Sequence, residues 1–184
     1  MGSITFGGAS GGLGIGAYDD KMPSAWEEAY DTGNGSGLAT VAGAGGSLDI
    51  EWAVDTGFLP DGMSAYVSYS PMPNVSTTND KASGGDAGSG VVNGMGWDIV
   101  VEHSAVVDGL NLFAGYSDIE QVARIGDRKA WAIGGTYAVG SITVGYQQSK
   151  DMNPGVVGDT TDYYDNTAYG ITFQVNDDLS ISYS

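Results

Sequence analysis

From Trp131 to Val139 the chain reads WAIGGTYAV, and its side chains sort by parity. Trp131, Ile133, Gly135, Tyr137 and Val139 fall on one side, and Ala132, Gly134, Thr136 and Ala138 on the other. Successive side chains of an extended backbone point to opposite faces, so this period of two dictates a strand with one apolar face and one small or polar face. The same alternation governs most of the chain. Ile142, Val144 and Tyr146 alternate with Thr143, Gly145 and Gln147. Tyr169, Ile171, Phe173 and Val175 alternate with Gly170, Thr172 and Gln174, and Leu179, Ile181 and Tyr183 alternate with serines. Further runs begin at Leu48, Met63, Met95 and Leu110.

About ten strands are expected: 3–8, 12–18, 47–56, 63–71, 95–104, 110–118, 128–138, 141–149, 167–175 and 179–184. Short turns fall at 9–11, 57–62, 105–109, 139–140 and 176–178. The connections at 19–46, 72–94 and 150–166 are long, and that at 119–127 is intermediate. One end of the sheet therefore carries hairpins and the other carries loops. After Tyr116 the apolar parity would pass to Asp118 and Glu120, so the strand leaves the apolar zone there or a bulge shifts its register.

Period alone does not say which face is wet. A soluble sandwich buries its apolar face and wets the polar one. A membrane barrel turns the apolar face to lipid and lines its water-filled lumen with the polar one. Three features favour the barrel. The polar face is rich in Gly, Ser, Thr, Asp and Glu but poor in the lysine that soluble sheets usually carry. Trp97, Trp131, Tyr137 and Tyr69 lie near strand ends, at the height of a bilayer's aromatic girdles; any one of them would serve equally as a core residue. Many strands have the ~9–11 residues that cross a bilayer at a tilt. No apolar run approaches the ~18 residues of a membrane helix, and Met1-Gly-Ser-Ile-Thr-Phe has neither the basic nor the apolar region of a signal peptide.

The formal charge is −17, from 23 acidic and 6 basic residues. That excludes nucleic acid as a partner, because phosphates call for Lys and Arg, and it suits the attraction of cations. Asp49, Glu51, Asp55, Asp98 and Glu102 share the polar parity and are candidate lumen-lining residues, the alternative being a solvated acidic face. Arg128 takes the same parity if Trp131 faces lipid. The chain has no cysteine and a single histidine, His103, read as an interface residue; triads that need both are impossible. Carboxylate pairs are too common here to single out a glycosidase, so no enzyme is expected. The glycine-rich GASGGLG and GAGG lack a phosphate loop's Lys-Ser/Thr and read as turns.

One stretch breaks the alternation: YDDKMPSAWEEAYDTGNG, Tyr18 to Gly35. Ser24 and Glu27 fit a capping box, and Gly33 sits where such a helix would stop. Trp26, Ala29 and Tyr30 would share one side, with Glu27, Glu28 and Asp31 on another. Such a helix would dock its aromatics on a wall and present acid to water; inside a barrel the acids would narrow the lumen. Asp19, Asp20, Glu27, Glu28 and Asp31 are also a candidate structural calcium site, although the ladder of an EF-hand loop is absent. No other cofactor is expected.

GIGAYDDKMPSAWEEAYDTG at 14–33, following GSITFGGASGG, resembles the third loop and preceding hairpin of the general diffusion porins of alphaproteobacterial outer membranes. TAYGITFQVNDDLSISYS at the other end is similar to one of their late hairpins. The loop carries the more specific likeness. It implies an all-β, antiparallel transmembrane barrel of sixteen strands, usually a homotrimer in the bacterial outer membrane, amid lipid and lipopolysaccharide. Its third loop folds inward as an eyelet through which small hydrophilic solutes and ions diffuse. On this chain that loop is 19–45, with Asp19, Asp20, Lys21, Glu27, Glu28 and Asp31 as constriction residues. The chain departs from the family in strand number and in lacking a terminal aromatic residue, which implies an internal fragment of a single barrel domain. The basic wall that usually faces the eyelet is reduced to Arg124, Arg128, Lys129 and Lys150. The competing expectation is a soluble or surface-anchored β-sandwich for adhesion or carbohydrate binding.

Overall fold

A computed structural model describes residues 1–7, 14–18, 21–24, 49–70, 93–121, 127–152 and 163–183. These residues form an all-β fold. Nine strands make one antiparallel sheet in chain order: β1 (Ser3–Gly7), β2 (Asp49–Ala53), β3 (Met63–Ser70), β4 (Asn93–His103), β5 (Leu110–Gln121), β6 (Arg128–Val139), β7 (Ile142–Met152), β8 (Tyr163–Asn176) and β9 (Leu179–Tyr183). β1 and β9 are the outer strands, so the sheet is not closed. No helix among the described residues is long and apolar enough to cross a membrane.

The hairpins between β2 and β3, β4 and β5, β6 and β7, and β8 and β9 are short and lie at one end. Local chemistry sets each of them. Pro60 opens a turn closed by the Met63 N–H on the Pro60 carbonyl, and Gly62 at φ +75° supplies the left-handed residue that a type II turn demands. In the two-residue link between β6 and β7, Gly140 at φ +57° fits the primed turns that match strand twist. Between β8 and β9 the Asp178 N–H donates to Asn176 Oδ1 at 2.8 Å. Between β2 and β3, Asp55 accepts from the Gly57 N–H at 2.9 Å and caps a short 3-10 turn, η2 (Thr56–Phe58).

One expected strand is absent. Residues 14–18 form a 3-10 turn, η1 (Gly14–Tyr18), and β1 pairs directly with β2, Ile4 opposite Trp52 and Phe6 opposite Ile50. The reason is spacing. In a strand, Ile15 and Tyr18 would point to opposite faces; in a 3-10 turn, residues three apart eclipse. Both side chains are buried together. β5 also continues beyond the expected bound at 118, to Gln121. Asp118 keeps the parity of Tyr116 and lies opposite Lys129, whose ammonium is 3.2 Å away. The shifted register near this end lies between Asn93 and Gly96 of β4.

The two faces of the sheet are inverted relative to a soluble sheet. The face with Ile133, Val144, Tyr146, Ile171, Phe173 and Ile181 is exposed, these residues retaining 41–57 % of their accessible surface. The opposite face holds the buried residues, including Asp98, Ser117, Ala130, Gln147 and Asp151, all at 0 %. A soluble monomer rarely leaves so continuous an apolar surface uncovered.

Candidate functional site

The buried face is covered by the segment that follows β1. Ile15 and Tyr18 of η1 pack against Val100 of β4, Phe113 of β5, and Ala130 and Ala132 of β6, with Met22 and Tyr66 at the margin. The Tyr18 and Phe113 rings lie 4.9 Å apart, tilted by 44°, within the range of favourable aromatic pairs. Polar groups fix the backbone of the segment. Asp98 Oδ2 accepts from the Ile15 N–H at 3.0 Å. Gln147 Nε2 donates to the Tyr18 carbonyl at 3.0 Å. The Tyr18 hydroxyl lies 3.1 Å from the Val101 carbonyl and 3.4 Å from that of Ala114. Burial first, and then the charge of Glu102, pushes the Tyr18 phenol well above the usual tyrosine range.

The wall beneath the segment is cut away by glycine. A methyl group on Gly115 would lie 3.0 Å from both Ile15 and Tyr18. One on Gly145 would lie 2.5 Å from Pro23 Cδ, and one on Gly170 2.8 Å from the Pro23 carbonyl. Gly145 and Gly170 face each other across β7 and β8, so Pro23 rests on a paired notch. Gly14, at φ +60°, lies so close that a methyl there would overlap the Asp98 carboxylate.

The expected site residues divide into three groups. Asp19, Asp20, Glu27, Glu28 and Asp31, and with Glu27 the partner of Ser24 in the proposed helix cap, lie outside the described residues, as does most of the 19–45 loop. So does the candidate calcium cluster; among the described residues no group of acids or histidine is arranged to hold a metal. Lys21 is described: its ammonium is 2.7 Å from Glu102 Oε1 and 5.4 Å above the Tyr18 ring. Of the wall residues, Glu51, Asp98, Glu102 and Arg128 share the face that carries the segment, on β2, β4, β4 and β6. Asp98 is buried beneath η1, and Glu102 faces Lys21. Glu51 lies opposite Ser68, whose hydroxyl is 3.5 Å from Glu51 Oε2. Arg128 is buried against Asp151, with Nε 3.0 Å from Oδ1 and Nη2 on Oδ2. Asp49 takes the register position opposite Gly7. Asp55 lies beyond the end of β2, capping η2.

Several working residues escape a reading by charge. Ile15 and Tyr18 announce themselves only by their spacing of three. Gly115, Gly145 and Gly170 announce themselves by falling mid-strand on the polar parity, where glycine commonly marks the close approach of another backbone. Gln147 and Asp151 also keep that parity; their partners come from distant parts of the chain or from the next strand.

On the exposed face, aromatics border the apolar zone on the loop side. The border runs through Tyr69, Trp97, Tyr116, Trp131, Tyr146 and Tyr169, one on each strand from β3 to β8. It does not follow the hydrogen-bonded rows. Tyr69 pairs with Trp97, Tyr116 with Trp131, and Tyr146 with Tyr169, but the border drops two residues between β4 and β5 and four between β6 and β7. That is six residues over five strand-to-strand steps. With ~3.4 Å per residue and ~4.8 Å between strands, the border crosses the rows at about 40°. Just beyond it the face turns charged, with Asp118 and Lys129, then Lys150 and Asp165 3.5 Å apart. Lys150 also sits 3.9 Å over the Tyr163 ring.

No known family model and no curated protein matches the sequence.

Proposed function

We propose that this chain is wall and constriction of a transmembrane β-barrel, a general diffusion porin of a bacterial outer membrane that passes small hydrophilic solutes and ions and catalyses no reaction. The observation that carries this reading is the inverted sheet: its apolar face is exposed while its polar face is covered by the chain's own segment. Lipid is the solvent that suits such an outer face. A β-sandwich would lay a second sheet over the apolar face, and all nine described strands belong to one sheet.

The oblique aromatic border supports the same reading. If the border marks the membrane interface, the strands tilt from the membrane normal by about 40°, within the ~35–45° of such barrels. On β6, Trp131 to Val139 is eight residue rises, ~27 Å along the strand and about 21 Å across the membrane at that tilt, near the ~25 Å apolar band expected. Aromatics followed by paired charges suit the headgroup region, where lipopolysaccharide or other lipid would lie.

Closure constrains the size. Each strand is antiparallel to the next, so β1 and β9, eight steps apart, run the same way. An all-antiparallel barrel therefore needs an odd number of further strands between them, and seven would give sixteen. A homotrimer is the assembly that goes with this reading.

The described wall tempers the expected cation preference. Glu102 faces Lys21, Asp151 faces Arg128, and Asp98 is spent on the Ile15 amide. The preference rests on the formal charge of −17 and on the acids of 19–45. Planar-bilayer recording of the full-length protein under a KCl gradient tests the function: discrete steps with a cation-selective reversal potential are expected. Folded protein that never conducts would overturn the porin and leave a plugged barrel or a binding module.

A further inference from the structure

We infer that the glycine notch in the inner wall, formed by Gly145 of β7 and Gly170 of β8, sets how far residues 21–24 project from the wall, and so sets the width of the pore. The inference rests on the channel reading above and assigns a size-determining role to residues that carry no functional group.

The geometry decides which side must yield. Gly145 is paired with Thr136 on one side and with Gly170 on the other, so its backbone is held by two ladders. A methyl at Gly145 meets Pro23 Cδ at 2.5 Å and Met22 Sδ at 3.2 Å; at Gly170 it meets the Pro23 carbonyl at 2.8 Å and Pro23 Cδ at 3.1 Å. Carbon atoms rest at ~3.5–4.0 Å, so relief of the Gly145 contact takes about 1 Å of displacement. The sheet resists that movement through two rows of backbone hydrogen bonds. Residues 21–24 belong to no strand and are held by no such ladder, so they are the side that yields. Any side chain at either glycine therefore lifts the segment away from the wall, toward the axis of a closed barrel. Residue 23 makes the notch specific: proline has no N–H to satisfy and presents a compact ring to the wall.

Two measurements test this. The chain has no cysteine, so Lys21→Cys with Glu102→Cys introduces one defined pair that leaves both glycines in place, at positions whose charged ends lie 2.7 Å apart. A short reducible bis-thiol cross-linker applied to the full-length double variant is expected to join them, seen as a shift in migration reversed by reductant. Failure of that cross-link in folded protein would overturn the seating itself. In bilayers, Gly145→Ala and then Gly145→Val are expected to lower single-channel conductance stepwise, by roughly 1.3- to 2-fold, since the narrowest section governs passage. Gly170→Ala is the second variant should Gly145→Val not fold, with the same direction expected. Variants that conduct like the parent would overturn the size-setting role while the channel stands. A parent protein that stays silent, with a double-cysteine variant that still cross-links, would overturn the channel and the size-setting role together, leaving only the seating.

Discussion

Asp98, in the middle of β4, accepts a hydrogen bond from the backbone N–H of Ile15, eighty-three residues earlier in the chain. The carboxylate on the wall thereby closes the start of η1, where a 3-10 turn leaves an N–H without a partner of its own. Hydrogen bonds to charged groups are the stronger kind, and an orphaned buried N–H costs about 1–3 kcal/mol. Asp98→Ala should therefore loosen η1 by that order while the sheet persists. Hydrogen exchange is the check: the Ile15 amide should exchange roughly 10- to 100-fold faster, with β5 to β7 amides unchanged. Equal protection of Ile15 in the variant would show that Asp98 does not hold the segment.

Ile15 and Phe113 form the apolar half of the same anchor. Ile15→Ala removes a fully buried side chain that packs into a niche left by Gly115. The cost should be about 2–5 kcal/mol, felt as release of 14–18 and 21–24 from the wall. Limited proteolysis of folded protein should cut near Lys21 in the variant and spare it in the parent.

Tyr18 gives a signature in alkali. Its pKa is raised by burial and by the Glu102 charge. A raised folded-state value means that the seating is complete below the unfolded tyrosine value of ~10 and is lost as pH climbs through the folded value. Ultraviolet titration should therefore show the Tyr18 phenol ionising late, together with release of the segment. Tyr18→Phe should remove that late step. An unchanged titration would place Tyr18 in water.

Arg128 and Asp151 pair across β6 and β7 under cover. Removing one partner of a buried pair typically costs about 3–5 kcal/mol, because the other charge is left uncompensated. Arg128→Met should lower the temperature at which the folded band is lost, and adding Asp151→Leu should recover part of the loss. Lys21→Met should do much less, since its bond to Glu102 is partly exposed and such pairs contribute about 0–1 kcal/mol.

Parity made most of the sheet legible. The runs around Trp131, Ile142, Tyr169 and Met63 specify both strand and face, because a one-residue slip would exchange the two faces. The hairpins followed from Gly62, Gly109 and Gly140. Residues 12–18 misled for a physical reason: GIGAY alternates as a strand does, and only the burial of Ile15 with Tyr18 selects the 3-10 turn. The acids of the wall were legible as a face but not as partners. That Asp98 meets Ile15, or Glu102 meets Lys21, depends on contacts across eighty or so residues, which local pattern does not encode. The glycine notch was hidden because glycine on a polar face reads equally as a turn-like weakness or as a seat.

The central claim is that the exposed apolar face of the sheet meets lipid. Single cysteines placed in turn from Ala130 to Tyr137 on β6, spin-labelled in the membrane-inserted full-length protein, test it directly. Labels at Trp131, Ile133, Gly135 and Tyr137 should collide with lipid-dissolved oxygen, and those at Ala130, Ala132, Gly134 and Thr136 should not. Oxygen access without a period of two, or with the opposite phase, would contradict a lipid-facing belt.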